Sequence, residues 1–155
     1  MNHEHLSRTD IEQVLPHRRP FMFLESVDVL ELGKHATGIL ADLRDPDFDF
    51  LKGHFPDFRV VPGAIIMEAL AELLGVTAAS GLSEADNKIG VLVEDRMRYR
   101  QIINPGDPVR LEAEVTNMRR NIGRGNVKAF LGDKVAAEGE ITFALIDKVD
   151  LTSQI

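Results

Sequence analysis

Residues 62–81 read PGAIIMEALAELLGVTAASG, and this stretch decides the fold. Pro62 suits a first helical turn, where its missing N–H has no intrahelical partner to lose. Good helix formers follow, and Gly81 is a candidate C′ residue. The pattern predicts one long helix from about Pro62 to Ser80. Ile66, Leu70, Leu73, Leu74 and Thr77 cluster on one broad side, and Ala64, Glu68, Ala71 and Gly75 form the other. A helix this apolar nearly all round is expected to be buried.

Towards the N-terminus, Thr9-Asp10-Ile11-Glu12 reads as a capping box opening a short helix through about Val14, with Pro16 stopping it. Phe21 to Leu32 and His35 to Leu43 read as strands about Gly33, and Arg44 to Lys52 as a loop because it holds Asp45-Pro46-Asp47. Beyond the helix, Lys88 to Glu94 and Asp95 to Ile103 read as two strands or one bent one. Asn104-Pro105-Gly106-Asp107 is a turn. Val109 to Arg119 is extended, and Asn126 to Leu131 and Lys134 to Ile146 flank Gly132-Asp133, a two-residue hairpin turn with glycine first. The fold class expected is α+β: one long helix and an antiparallel sheet of five to seven strands. A single domain over 1–155 is expected, with a flexible tail of about residues 1–8 that includes His3 and His5.

Composition narrows the function. With 44% hydrophobic residues the chain is not of the disordered class. No apolar run reaches the roughly 18 residues of a spanning helix, and the polar start lacks a secretory core. Zero cysteines exclude thiolate catalysis, disulfides and cysteine zinc sites, and fit a cytoplasmic protein. A net charge of −7 argues against a general nucleic-acid binder. His17, His35 and His54 lack tight ligand spacing, so no metal is expected.

The chemistry concentrates just before and within the helix. Glu68 has Ala64, Ile65, Ala71 and Glu72 as helical neighbours, none of them a cation. Burial and repulsion by Glu72 would raise its pKa and make it a candidate general acid, whereas solvation on an exposed face would leave it inert. His54 lies in a loop with Gly53, Phe55 and Pro56. It is either a general base or a loop histidine bonded to backbone, with Phe55-Pro56 confining the loop and shielding the ring. Gly63, at the helix start, either presents an N–H to a carbonyl or serves tight packing. A base, an acid and a carbonyl polariser are the parts needed for β-elimination of water.

Leu15-Pro16-His17-Arg18-Arg19-Pro20-Phe21, Gly53-His54-Phe55-Pro56, Val61-Pro62-Gly63 with Glu68-Ala69-Leu70-Ala71, and Asn104-Pro105-Gly106-Asp107 occur in the order seen in FabZ-type 3-hydroxyacyl-[acyl-carrier-protein] dehydratases, and the chain resembles that family from roughly Ile11 to Ile146. The resemblance implies a hot-dog fold, a long central helix wrapped by an antiparallel sheet, and dehydration of 3-hydroxyacyl thioesters to trans-2-enoyl thioesters. His54 would move the C2 proton, Glu68 would assist departure of the 3-hydroxyl, and the Gly63 N–H would bind the thioester carbonyl. The histidine and glutamate of one site would come from different subunits of a homodimer, possibly within a trimer of dimers. Phe55, Pro62 and Tyr99 would line an acyl tunnel at the dimer interface, and neither metal nor organic cofactor would be used. The family usually reads HFPGHPIMPG where this chain reads HFPDFRVVPG, so Asp57, Phe58 and Arg59 depart from it. Glu72 replaces a usual glutamine and could be neutralised by Arg59, and Glu25 stands where aspartate is common. These changes suggest a specialised relative, for a polyketide, polyene or other unusual acyl chain.

Arg96, Arg98 and Arg100 alternate along one strand and project from one face, with Met97 and Tyr99 on the other. They would steer an acidic acyl carrier protein, or they form an ordinary solvated face. Arg119, Arg120 and Arg124 could extend the patch. Tyr99 would fill core or gate the tunnel, core being the stronger reading. A hot-dog acyl thioesterase, a dehydratase that also isomerises, and a non-catalytic acyl- or carrier-binding subunit are the competing functions.

Overall fold

The computed structural model describes residues 3–83 and 87–149; residues 1–2, 84–86 and 150–155 of the expected domain range lie outside the described residues. Seven strands form one antiparallel sheet in the order β1-β2-β3-β5-β6-β7-β4, with β1 Glu4–Ser7, β2 Leu24–Glu31, β3 His35–Leu40, β4 Lys88–Tyr99, β5 Val109–Arg119, β6 Ile122–Leu131 and β7 Lys134–Asp147. Helix α1 is Arg8–Val14, and helix α2, Gly63–Ala79, lies against the middle of the sheet at β3, β5 and β6. The antiparallel sheet and the single long helix are those expected.

Helix α2 ends close to its expected limits. Its fully buried side carries Ile66, Leu70, Leu73, Leu74 and Thr77, and each leucine so buried contributes about 1.5–3 kcal/mol. The expectation of burial all round needs correcting: Ala64 is exposed, and Glu68, Ala71 and Gly75 are half-buried. Gly81 follows the helix, but no left-handed backbone is recorded there. A Cβ on it would lie 2.6 Å from the Cα of Gly33, so close chain contact explains the glycine.

Other departures have local causes. Ser7, not Thr9, is the N-cap of α1: its backbone N–H donates to Asp10 Oδ2 at 2.8 Å, and the Asp10 N–H donates to its hydroxyl. Residues Glu4–Ser7, expected as tail, pair with β2, and His5 bonds Asp28 at 2.8 Å. Strand β2 starts at Leu24 rather than Phe21, and the Phe23 N–H donates to the Glu72 side chain instead of to a strand. The expected loop at 44–52 is largely a 3-10 segment, Pro46–Gly53, capped by Asp45, which accepts from the Asp47 N–H at 2.9 Å. Strand β4 is a single strand with a bulge between Leu92 and Glu94, and Gly132 opens the last hairpin at φ 61.

Candidate active site

His54 closes the 3-10 segment, its N–H bonded to the Leu51 carbonyl. The loop behind it is cinched by Phe55 N–H to Phe58 C=O at 2.8 Å and Val60 N–H to His54 C=O at 3.0 Å. His54 Nδ1 lies 2.8 Å from the Val60 carbonyl. A carbonyl only accepts, so Nδ1 carries the proton and Nε2 keeps a free lone pair, the tautomer a base needs. His54 is thus bonded to backbone, the second of its two readings, and that bond leaves Nε2 as the nitrogen able to accept a proton. Its ring stacks on Phe55 at 4.3 Å between centroids. The departing residues Asp57, Phe58 and Arg59 are all exposed, and the loop closes despite them.

Gly63 is the first residue of α2, so its N–H has no carbonyl one turn back. Pro62 cannot cap it with a side-chain hydrogen bond, and the first turn holds no acidic residue. The helix field at this end favours negative charge. A Cβ on Gly63 would sit 3.0 Å from the Tyr99 ring. Tyr99 therefore lies over the helix start rather than in the core, and it is 48% exposed, which corrects the stronger of its two readings.

Glu68, one face along the helix, has a partner that local sequence did not reveal. His17 Nε2, from the α1–β2 connection, lies 3.3 Å from Glu68 Oε1. The Glu68 contact raises the His17 pKa, against the opposing effect of burial. His17 Nδ1 is buried and has no hydrogen-bond partner among the described residues. The connection is held by Arg19, which reaches Glu25 at 3.2 Å, Asp45 at 3.3 Å and Asp47 at 3.5 Å and lies over the Phe48 ring. Arg19 thereby ties the His17 segment to the 3-10 segment that ends in His54, and Glu25 is one of its anchors.

Of the two readings of Glu68, burial and solvation, the structure leaves it partly solvated, and the strong burial falls on Glu72. Glu68 keeps a solvent-facing side at 21% exposure, whereas Glu72 is 2% exposed. Glu72 Oε1 accepts from the Phe23 N–H at 2.8 Å, and Oε2 has no partner among the described residues. Burial pushes the Glu72 carboxyl up to about 8, against the Phe23 bond and His17, with Glu68 adding repulsion. Arg59 is exposed, and the charged or titratable side chains acting on Glu72 are His17 and Glu68. His17, Glu68 and Glu72 each place one ligand atom within 4.8 Å of the others, the donor set among the described residues that could hold a metal ion.

These residues border a cavity of about 110 Å³ between α2, the α1–β2 connection and β4 with β7. Its walls are apolar, with Leu15, Leu74, Leu82, Val91 and Phe143 among them. His54, Gly63, Phe55, Pro62 and Tyr99 do not line it. Within one chain the structure thus gathers Glu68 with His17 and Glu72, and Gly63 with Tyr99, but it does not bring His54 into the Glu68 cavity.

The FabA-like domain family matches residues 15–140. The chain is 37% identical to the 3-hydroxyacyl-[acyl-carrier-protein] dehydratase FabZ of Clostridioides difficile over 92% of its length and 99% of that protein. It is 39% identical to the FabZ of Macrococcus caseolyticus over 92% and 97%. This chain belongs to the FabZ-type dehydratases of the FabA-like family. Among solved structures it resembles the dehydratase heterocomplex ApeI:P of Xenorhabdus doucetiae, with a TM-score of 0.72, 18% identity and coverage of 93% and 95%. It also resembles the fluoroacetyl-CoA thioesterase FlK, with a TM-score of 0.64, 14% identity and coverage of 81% and 94%. Likeness at these identities establishes the shared hot-dog fold. FabZ-type sequence features thus sit on a scaffold that dehydratases and thioesterases share.

The arginines divide into two groups. Arg96, Arg98 and Arg100 border an open depression with Tyr99 and Glu138, where Arg100 Nε bonds Glu138 at 2.8 Å. Arg119, Arg120 and Arg124 border a different one at the β5–β6 turn, so they do not extend the first.

Proposed function

We propose that this chain dehydrates 3-hydroxyacyl thioesters carried on acyl carrier protein to trans-2-enoyl thioesters, in the cytoplasm, for fatty-acid synthesis or a related polyketide or polyene synthesis. The observation that carries the reading is 37–39% identity to 3-hydroxyacyl-[acyl-carrier-protein] dehydratases over 92% of the chain. His54 Nε2 takes the C2 proton, and the Gly63 N–H polarises the thioester carbonyl as charge develops on it. The C3–O bond breaks, Glu68 hands a proton to the leaving hydroxyl, and C2 and C3 become doubly bonded. Water is the second product, so atoms balance without any redox partner.

The working unit in this reading is a homodimer, possibly a trimer of dimers, in which His54 of one subunit meets Glu68 of its partner. The absence of His54 from the Glu68 cavity within a chain agrees with that arrangement. So does β4, a 12-residue edge strand with Leu92 and Val93 exposed, the kind of edge that a second copy covers. Phe55, Pro62 and Tyr99 would border the acyl tunnel once two chains meet. The exposed arginines at 96, 98 and 100 would receive the acidic carrier.

Purified protein given short and long 3-hydroxyacyl carrier thioesters should produce the absorbance of a conjugated enoyl thioester. Release of free thiol without enoyl product would place the chain among thioesterases instead. Tight binding with neither product would make it a binding subunit.

A further inference from the structure

We propose that Glu72 is a positioning residue for Glu68, acting as a neutral carboxylic acid whose O–H donates towards the Glu68 carboxyl group. The inference rests on the dehydratase reading above, in which Glu68 is the acid. Four observations support it. Glu72 sits one helical turn after Glu68, on the same face. Its Oε1 is occupied as an acceptor by the Phe23 N–H, which leaves Oε2 as the oxygen able to carry a proton. Oε2 is buried and otherwise unsatisfied, in a residue 2% exposed. Finally, the ligand atoms of Glu72, Glu68 and His17 lie within 4.8 Å of one another, a gap that one water with two hydrogen bonds of about 2.7–2.8 Å spans.

A buried carboxylate with an orphaned oxygen beside Glu68 is costly, whereas a buried carboxylic acid there donates to Glu68 and steadies the carboxylate that Glu68 becomes as it gives up its proton. The titratable groups facing Glu72 are Glu68 on its own helix, His17 on the α1–β2 connection and Lys88 of β4 across the cavity. Lys88 Nζ is bonded to Asn121 at 2.9 Å, which leaves His17 as the cation that acts on Glu72. The raised pKa of about 8 means the donor form is present through neutral pH and is lost as pH rises past that value. A glutamine side chain at this position could donate a hydrogen bond without titrating. In this chain the donor is pH-dependent.

The experiment compares wild type, Glu72→Gln and Glu72→Leu in enoyl formation from a 3-hydroxyacyl carrier thioester between pH 6 and 10. Leucine removes the donor and should lower kcat by about 10- to 100-fold at neutral pH with a smaller change in KM, the loss typical of a hydrogen bond to a charged group. Glutamine should recover most of that kcat, and it should move or abolish the decline that wild type shows above pH about 8. If leucine fails to fold, the pH profile of Glu72→Gln decides alone. A wild type active at neutral pH, with the same alkaline decline in Glu72→Gln, overturns the role of Glu72 and leaves the dehydratase reading standing. A wild type that forms no enoyl product removes that reading and this one with it.

Discussion

Glu72→Gln should make the protein more stable at alkaline pH, and the size of the effect follows from the buried carboxyl. Its pKa rises from 4.5 to about 8 on folding, chiefly through burial. Between those values the folded state holds a proton that the unfolded state has released, so stability falls as pH rises, by about 1.4 kcal/mol per unit. The contribution is fully present below pH about 4.5 and gone above pH about 8, a total on the order of 5 kcal/mol. That is comparable with the whole stability of a small domain. Glutamine keeps the acceptor for the Phe23 N–H and does not titrate. Urea unfolding at fixed protein concentration should therefore show wild type losing stability relative to Glu72→Gln across pH 5–8, with the two running parallel above. His17, whose pKa is also raised, chiefly by Glu68, slopes the same way in both proteins; the smaller part of that rise owed to Glu72 is lost in Glu72→Gln. Equal slopes in the two proteins would refute the assignment of a buried, proton-holding carboxyl.

Gly63→Ala should leave the fold intact, since alanine favours a helix and Tyr99, half-exposed, can yield a few tenths of an ångström. Turnover should fall by about 10- to 100-fold as the methyl and the displaced ring misplace the thioester; steady-state kinetics check this. Arg98→Glu, in the depression beside Tyr99, should raise KM for the carrier-bound substrate at low salt but not for a carrier-free thioester, with the difference fading as salt increases.

What the sequence disclosed was mostly local. The helix from Pro62, the Gly132 hairpin and the turn at Gly106 announce themselves through residues next to one another, and the structure places them there. Ser7 and Thr9 are both good caps, and only the pairing of β1 with β2 selects Ser7. Asp45-Pro46 looked like a turn, yet an aspartate cap followed by proline is also how a helical segment begins, and burial of Phe48 decides for it. At the site, His54, Gly63 and Glu68 could be singled out because glycine, proline and a charge interrupt apolar surroundings. The His17–Glu68 contact joins segments far apart in the chain, and nothing in either segment alone points to the other. The motif around Leu15 to Phe21 was visible, but its purpose appeared only once Arg19 was seen clamping it beside the His54 segment.

The most direct test of a shared site mixes two inactive proteins. His54→Ala and Glu68→Gln should each nearly abolish enoyl formation alone while folding normally. Unfolded together in equal amounts and refolded, half the dimers contain one chain of each kind, and one of the two sites in each such dimer is whole. Activity should return to about a quarter of the wild-type value, as two-fold symmetry requires. A mixture as inactive as its components, with mixed dimers demonstrated, would mean that His54 and Glu68 do not meet across subunits.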